Sequence, residues 1–125
     1  MNLKKKLDKI FSIYISMRDA DKDGICTCIA CGQRHYWKLM DAGHFVNRRY
    51  MSLRYSETNV NAQCRSCNRF DEGNPVGYIE GLKAKYGEDI IDQLMIAKKT
   101  SPKHTKFEFE TMIEYYKAEV KKLES

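Results

Sequence analysis

A chain of 125 residues with 42% hydrophobic content can bury one modest core, and its 31% charged residues leave the surface heavily solvated. No apolar run approaches the roughly 20 residues that a membrane-spanning helix needs, and the opening MNLKKKLDKIF reads as an amphipathic helix rather than a secretory signal. Five cysteines, an odd number, in such a chain fit metal ligation better than a disulfide framework, so the expectation is one cytoplasmic domain over 1–125, with no membrane partner.

The first predicted element is a helix over 2–18, with Leu3, Leu7, Ile10, Phe11, Tyr14 and Ile15 on one face and Lys4, Lys5, Lys6 and Lys9 elsewhere. Residues 19–24, DADKDG, follow as a turn. Asp19, Asp21, Asp23 and Gly24 copy the first half of a calcium loop, but its twelfth position is Ala30 where a bidentate Glu is required, so a solvated turn is the better account. Residues 25–70 hold all the cysteines and β-compatible runs such as Tyr36–Met40 and His44–Val46. A helical turn or two after Cys67 stops at Gly73-Asn74-Pro75, and Val76–Tyr86 and Asp89–Lys98 read as short helices separated by Gly87. The last segment opens on a capping box, Thr105-x-x-Glu108, and aligns Phe109, Met112, Ile113, Tyr116, Val120 and Leu123 on one face of a long helix.

The cysteine spacing carries the first chemical signal. Cys28-x-x-Cys31 and Cys64-x-x-Cys67 are two knuckles that together supply the four thiolates of a structural zinc site. Because Cys26, Cys28 and Cys31 form a C-x-C-x-x-C run, a Cys26 and Cys28 pair could also provide the first half. Gly32 after Cys31 favours Cys28 with Cys31, leaving Cys26 as a partly buried free thiol. A net charge of +5 is modest, yet five of the seven arginines (Arg48, Arg49, Arg54, Arg65 and Arg69) lie in 48–69, where Glu57 is the only acid. Their planar forks suit phosphate, and these arginines are the candidate DNA contacts.

Between the knuckles stand Asp41-Ala-Gly-His44 and Asn59, and Asn68 directly follows Cys67. This order, over 26–74, resembles the HNH (ββα-metal) nucleases. The phrases RDADKD, CGQ, DAGHF, LRYSETNVNAQC and CNRFDEGNPVGYIEGLKAKYG, over about 18–87, are similar to the phage NinG/Rap recombination nucleases, and more distantly to phage endonuclease VII. The resemblance implies an α+β fold with a small zinc-stapled ββα-metal core flanked by amphipathic helices, including C-terminal helices over 76–125. It implies His44 as general base, Asn68 and Asp41 as ligands of a catalytic Mg2+ or Mn2+, and Asn59 as the residue that ties the hairpin loop. Asp71, three residues past Asn68, is a reserve ligand.

One departure bears on geometry. Gly43 occupies the place before His44 where many family members carry Asp or His. In a strand, residues 41 and 44 point to opposite faces, so a joint site demands a bulge or turn at Ala42-Gly43. His44 as a metal ligand, with Asp41 in support, stays open. The implied activity is endonucleolytic hydrolysis of branched DNA such as Holliday junctions, leaving 5′-phosphate ends. Two active sites per junction imply a homodimer, with the terminal amphipathic helices expected at its interface. The alternative is a catalytically inactive zinc module that binds DNA through the same arginines.

Overall fold

The computed structural model describes residues 2–100 and 102–125. Helix α1 (Leu3–Arg18) starts where the Asn2 side chain accepts the Lys5 N–H, and it buries Leu7, Phe11 and Ile15, one per turn. The last helix, α5 (Lys106–Glu124), starts on the expected capping box, with Thr105 and Glu108 bonding each other reciprocally, and buries Ile113, Tyr116 and Val120. These two stripes pack on each other. Leu7, Phe11, Ile15, Ile113 and Tyr116 form one cluster with Tyr55 and Val60. Phe11 lies edge-on to Tyr116 and Tyr55, with ring centroids 4.9 and 5.6 Å away. The buried stripes of α1 and α5 thus meet each other within the chain, while Leu123 at the end of the α5 face stays exposed.

In chain order, two small antiparallel sheets come between these helices, so the fold is mixed α+β. Strands β1 (Ile25–Thr27) and β2 (Arg34–Tyr36) make the first, with Cys26 opposite His35. The expected extended run Tyr36–Met40 is interrupted by a 3-10 turn, Trp37–Leu39, which turns the corner into β3 (Met40–His44). Strand β3 pairs with β4 (Val60–Cys64) residue for residue, from Met40 opposite Cys64 to His44 opposite Val60. That continuous register corrects the expectation of a bulge at Ala42-Gly43. Gly43 is needed for another reason: a Cβ there would stand 1.9 Å from the Gln63 carboxamide oxygen, since Gln63 lies across the strand on the same face. Strand β3 also stops at His44, because Val46 bonds to the Asn59 side chain instead of a ladder partner.

A four-residue helix, α2 (Met51–Arg54), links the two strands of the second sheet. After β4, residues Ser66–Phe70 wind as a wide π-type turn rather than an α-helix. Glu72, Gly73 and Asn74 then adopt positive φ in succession, and Asn74 accepts the Gly77 N–H to cap α3 (Pro75–Tyr86). Helix α4 (Ile90–Lys98) packs with α3 around Val46, Leu53, Tyr78, Leu82, Ile90 and Leu94. No helix among the described residues is long and apolar enough to cross a membrane.

Candidate metal centre and cleft

The two knuckles converge. The sulfurs of Cys28, Cys31, Cys64 and Cys67 all lie within 4.8 Å of one another, with Cys31 and Cys64 Sγ 3.6 Å apart. A tetrahedron with Zn–S bonds of about 2.3 Å has sulfurs about 3.8 Å apart, so this donor set could hold a metal such as zinc. Backbone N–H groups of Ala30 and Cys67 and the Asn74 amide point at the sulfurs of Cys28, Cys64 and Cys67, at 3.4 Å each. Burial, aided by thiol hydrogen bonds with its three neighbours and opposed by a backbone hydrogen bond from Gln33, pushes Cys31 up to about 12. Without a cation, four packed thiols resist shared ionisation. Cys26 is not part of this group. It is wholly buried rather than partly so, its thiol bonds the Ser16 carbonyl at 3.1 Å, and burial pushes it up to about 11.

Beside the cysteine cluster, an open cleft of about 980 Å³ runs between α1 and the unpaired edge of β3. Asp41, His44, Asn68, Arg69, Arg48 and Arg54 all line it. Asp41 and His44 leave β3 on opposite faces, so the cleft gathers them by wrapping around the strand edge. The Asp41 carboxylate accepts the Asn68 side-chain N–H at 2.9 Å, although the two residues are 27 apart in sequence. Asn68 directly follows Cys67, which is held in the sulfur cluster, and this adjacency delivers the amide. Burial raises the Asp41 pKa, but hydrogen bonds from Arg69 and Asn68 and the charges of Arg69 and Arg65 outweigh it, so the net shift is downward. Asp71, by contrast, is exposed and lies beyond the π-type turn, out of helical phase with Asn68 and outside the cleft lining.

His44 is oriented by main chain. Its Nε2 stands 2.9 Å from the Arg54 carbonyl, which can only accept, so Nε2 carries the proton and Nδ1 is the basic nitrogen. Burial lowers the His44 pKa below the usual imidazole value, with the Arg48 and Arg54 charges adding to it. Asn59 is wholly buried. Its Oδ1 accepts the Val46 N–H at 2.8 Å, and its Nδ2 donates to the Val46 and Leu53 carbonyls, both at 3.1 Å. It thereby holds the chain just after His44 against the end of α2.

The arginines divide into two groups. Arg54 forms a two-pronged pair with Asp8 of α1, which also accepts the Tyr55 hydroxyl, and donates to the Arg48 carbonyl. Arg69 clamps both Asp41 oxygens at 2.8 Å. These two differ from the expectation of free phosphate binders. Arg48 and Arg49 are exposed on the loop before α2, and Arg65 is about half exposed, 3.9 Å from Asp41. Two buried residues that brace the chain around the second sheet escape sequence reasoning. Tyr78 of α3 is wholly buried, with its hydroxyl 2.6 Å from the Gly43 carbonyl and 3.2 Å from that of Asn59. Gln63 is equally buried, donates to the Gly73 carbonyl at 2.7 Å and leaves its oxygen without a partner. A tyrosine in a helix and a glutamine before a cysteine carry no local signal. Asp8, the lone acid among the α1 lysines, did carry one.

The family model described as Bacteriophage Lambda NinG protein matches residues 1–125. The chain belongs to the NinG family. Protein ninG of Escherichia phage lambda is 31% identical over 93 residues, covering 72% of this chain and 42% of that protein. Protein ninG of Escherichia phage 933W matches equally over 72% of this chain and 43% of its own length, and that of Salmonella phage P22 over 72% and 42%. The chain thus spans less than half the length of these NinG relatives. No solved structure matches it. The family likeness first read on 18–87 extends, in the NinG model, over the whole chain.

Proposed function

We propose that this NinG-family chain is a metal-dependent, structure-selective DNA endonuclease whose core is a zinc-stapled ββα-metal unit, formed by β3, β4 and the turn that begins at Ser66. The observation that carries the reading is the contact of Asp41 with Asn68 at 2.9 Å, in a cleft that also holds an imidazole tied to main chain. Nothing in a purely structural zinc module requires a carboxylate, a carboxamide and a neutral imidazole to converge.

In this reading His44 Nδ1 takes a proton from the attacking water, while the Arg54 carbonyl holds Nε2–H and stabilises the imidazolium that forms. Asp41 and Asn68 offer the hard oxygen donors that Mg2+ or Mn2+ prefers. A divalent ion there would neutralise the scissile phosphate and stabilise the leaving 3′ oxygen. Asn59 keeps the His44 strand end in place, and the exposed Arg48, Arg49 and Arg65 contact DNA phosphates. Branched recombination intermediates such as Holliday junctions are the proposed substrates. Paired incision of a junction needs two copies, which must meet through a surface other than the packed stripes of α1 and α5.

A second reading, a catalytically silent zinc module that binds DNA, draws on the Arg69 clamp, which already occupies both Asp41 oxygens. Titration with magnesium and manganese separates the two. The nuclease reading predicts metal-dependent cleavage whose half-saturating metal concentration rises in Asp41→Asn and Asn68→Ala. DNA binding without cleavage at any metal concentration establishes the silent module instead.

A further inference from the structure

We infer that the N-terminal half of α1 is a second nucleic-acid contact surface, which seats the DNA backbone as it leaves the cleft; this inference rests on the DNA-directed reading above. The cleft does not end at Arg48. It continues into a groove of about 550 Å³ along α1, lined by Lys4, Lys5 and Lys9, and the two concavities share Asp8, Ser12, Arg48 and Arg54. Helix α1 is thus one wall of both. From Asn2 to Ser16 that wall runs about 21 Å at 1.5 Å per residue, the length of about six nucleotide steps at 3.4 Å each.

Charge pairing identifies what the groove accepts. Lys4, Lys5 and Lys9 are exposed and have no ion-pair partner among the described residues. The one acid nearby, Asp8, is neutralised by Arg54. On α5, by contrast, three of the four lysines, Lys106, Lys117 and Lys122, are each paired to a glutamate three or four residues away. A groove whose one acid is already paired to Arg54, continuous with a cleft proposed to hold a phosphodiester, is complementary to a polyanion that passes through both. A long nucleic-acid backbone meets that description, whereas a flat lipid surface has no reason to follow a groove into the cleft.

The test is the salt dependence of binding to a fluorescein-labelled duplex and a four-way junction, without added magnesium. Three phosphate contacts at about 0.9 unit each lower the slope of log K against log salt by about 2.7 in Lys4→Gln/Lys5→Gln/Lys9→Gln. Between 50 and 200 mM salt, wild type should therefore lose about 40-fold more affinity than the variant. The Lys→Arg triple variant should restore the slope, and Lys106→Gln/Lys117→Gln/Lys122→Gln should leave it unchanged. An unaltered slope in the α1 variant, while wild type still binds and cuts DNA, overturns this inference alone. So does an equal fall in the α5 variant, or, with phosphatidylserine vesicles titrated in parallel, an α1 variant that loses vesicle binding and keeps its DNA binding unchanged. Wild type that neither binds nor cuts DNA overturns the functional reading and this inference with it.

Discussion

Asn59→Ala probes the part of the site that packing alone cannot replace. The residue is wholly buried and satisfies the Val46 N–H and the carbonyls of Val46 and Leu53. Alanine strands the Val46 N–H and carbonyl in a dry interior, at a cost of about 1–3 kcal/mol for each, while the Leu53 carbonyl keeps the Ser56 N–H at 3.2 Å. Part of that cost is relieved if water enters, so the expected loss is about 2–4 kcal/mol, a large share of the roughly 5–15 kcal/mol of a typical domain. In urea unfolding followed by circular dichroism, with m of about 1–3 kcal/mol per M, the midpoint should fall by roughly 1–4 M. Asn59→Asp is the sharper control. It keeps an acceptor for Val46 N–H but sets a carboxylate oxygen against two carbonyls, so it should be at least as damaging as alanine. A midpoint shift below about 0.3 M in Asn59→Ala, or an aspartate variant as stable as wild type, would refute the role assigned to the carboxamide.

Three further outcomes follow from the same structure. The purified protein should hold one zinc per chain by atomic emission, unaffected by Cys26→Ser, since Cys26 lies outside the sulfur cluster, and lost in Cys67→Ser together with the order of the knuckles; a metal-free wild type that is fully folded contradicts this. Gly43→Ala should cost about 1–3 kcal/mol from overpacking against Gln63, and adding Gln63→Ala should recover part of it; strict additivity of the two losses would show that Gly43 is required for another reason. Because burial lowers the His44 pKa, the neutral base persists into mildly acid solution, so the acid limb of cleavage should have its midpoint below 6.5. The same shift makes His44 contribute stability that is full above its unfolded pKa and lost as pH falls through the folded value; an acid limb at or above 6.5 contradicts the assignment.

The helices were legible because their causes are local. An apolar residue each turn, the Asn2 cap and the Thr105 box act within four residues of themselves, and the knuckles announce themselves by spacing. What the stripes of α1 and α5 would pack against was not legible, because amphipathicity specifies that a face must be covered and not by what. The same limit hid the Arg54 pair with Asp8, 46 residues apart, and the Arg69 clamp on Asp41, 28 apart: composition marks an arginine as a phosphate binder until its acid is found. Gly43 matters at the position the sequence indicates, but for a different physical reason. A glycine before the imidazole reads as freedom to bulge, whereas its lack of a side chain makes room for Gln63 from the neighbouring strand. Tyr78 reaches Gly43 across 35 residues, a distance at which no motif operates.

The nuclease reading is tested most directly by incubating wild type and His44→Ala with a synthetic four-way junction and a linear duplex, in magnesium and in manganese. Wild type should cleave the junction in a metal-dependent manner, and His44→Ala should abolish cleavage while retaining junction binding. Binding by wild type with no cleavage in either metal, or undiminished cleavage by His44→Ala, contradicts it.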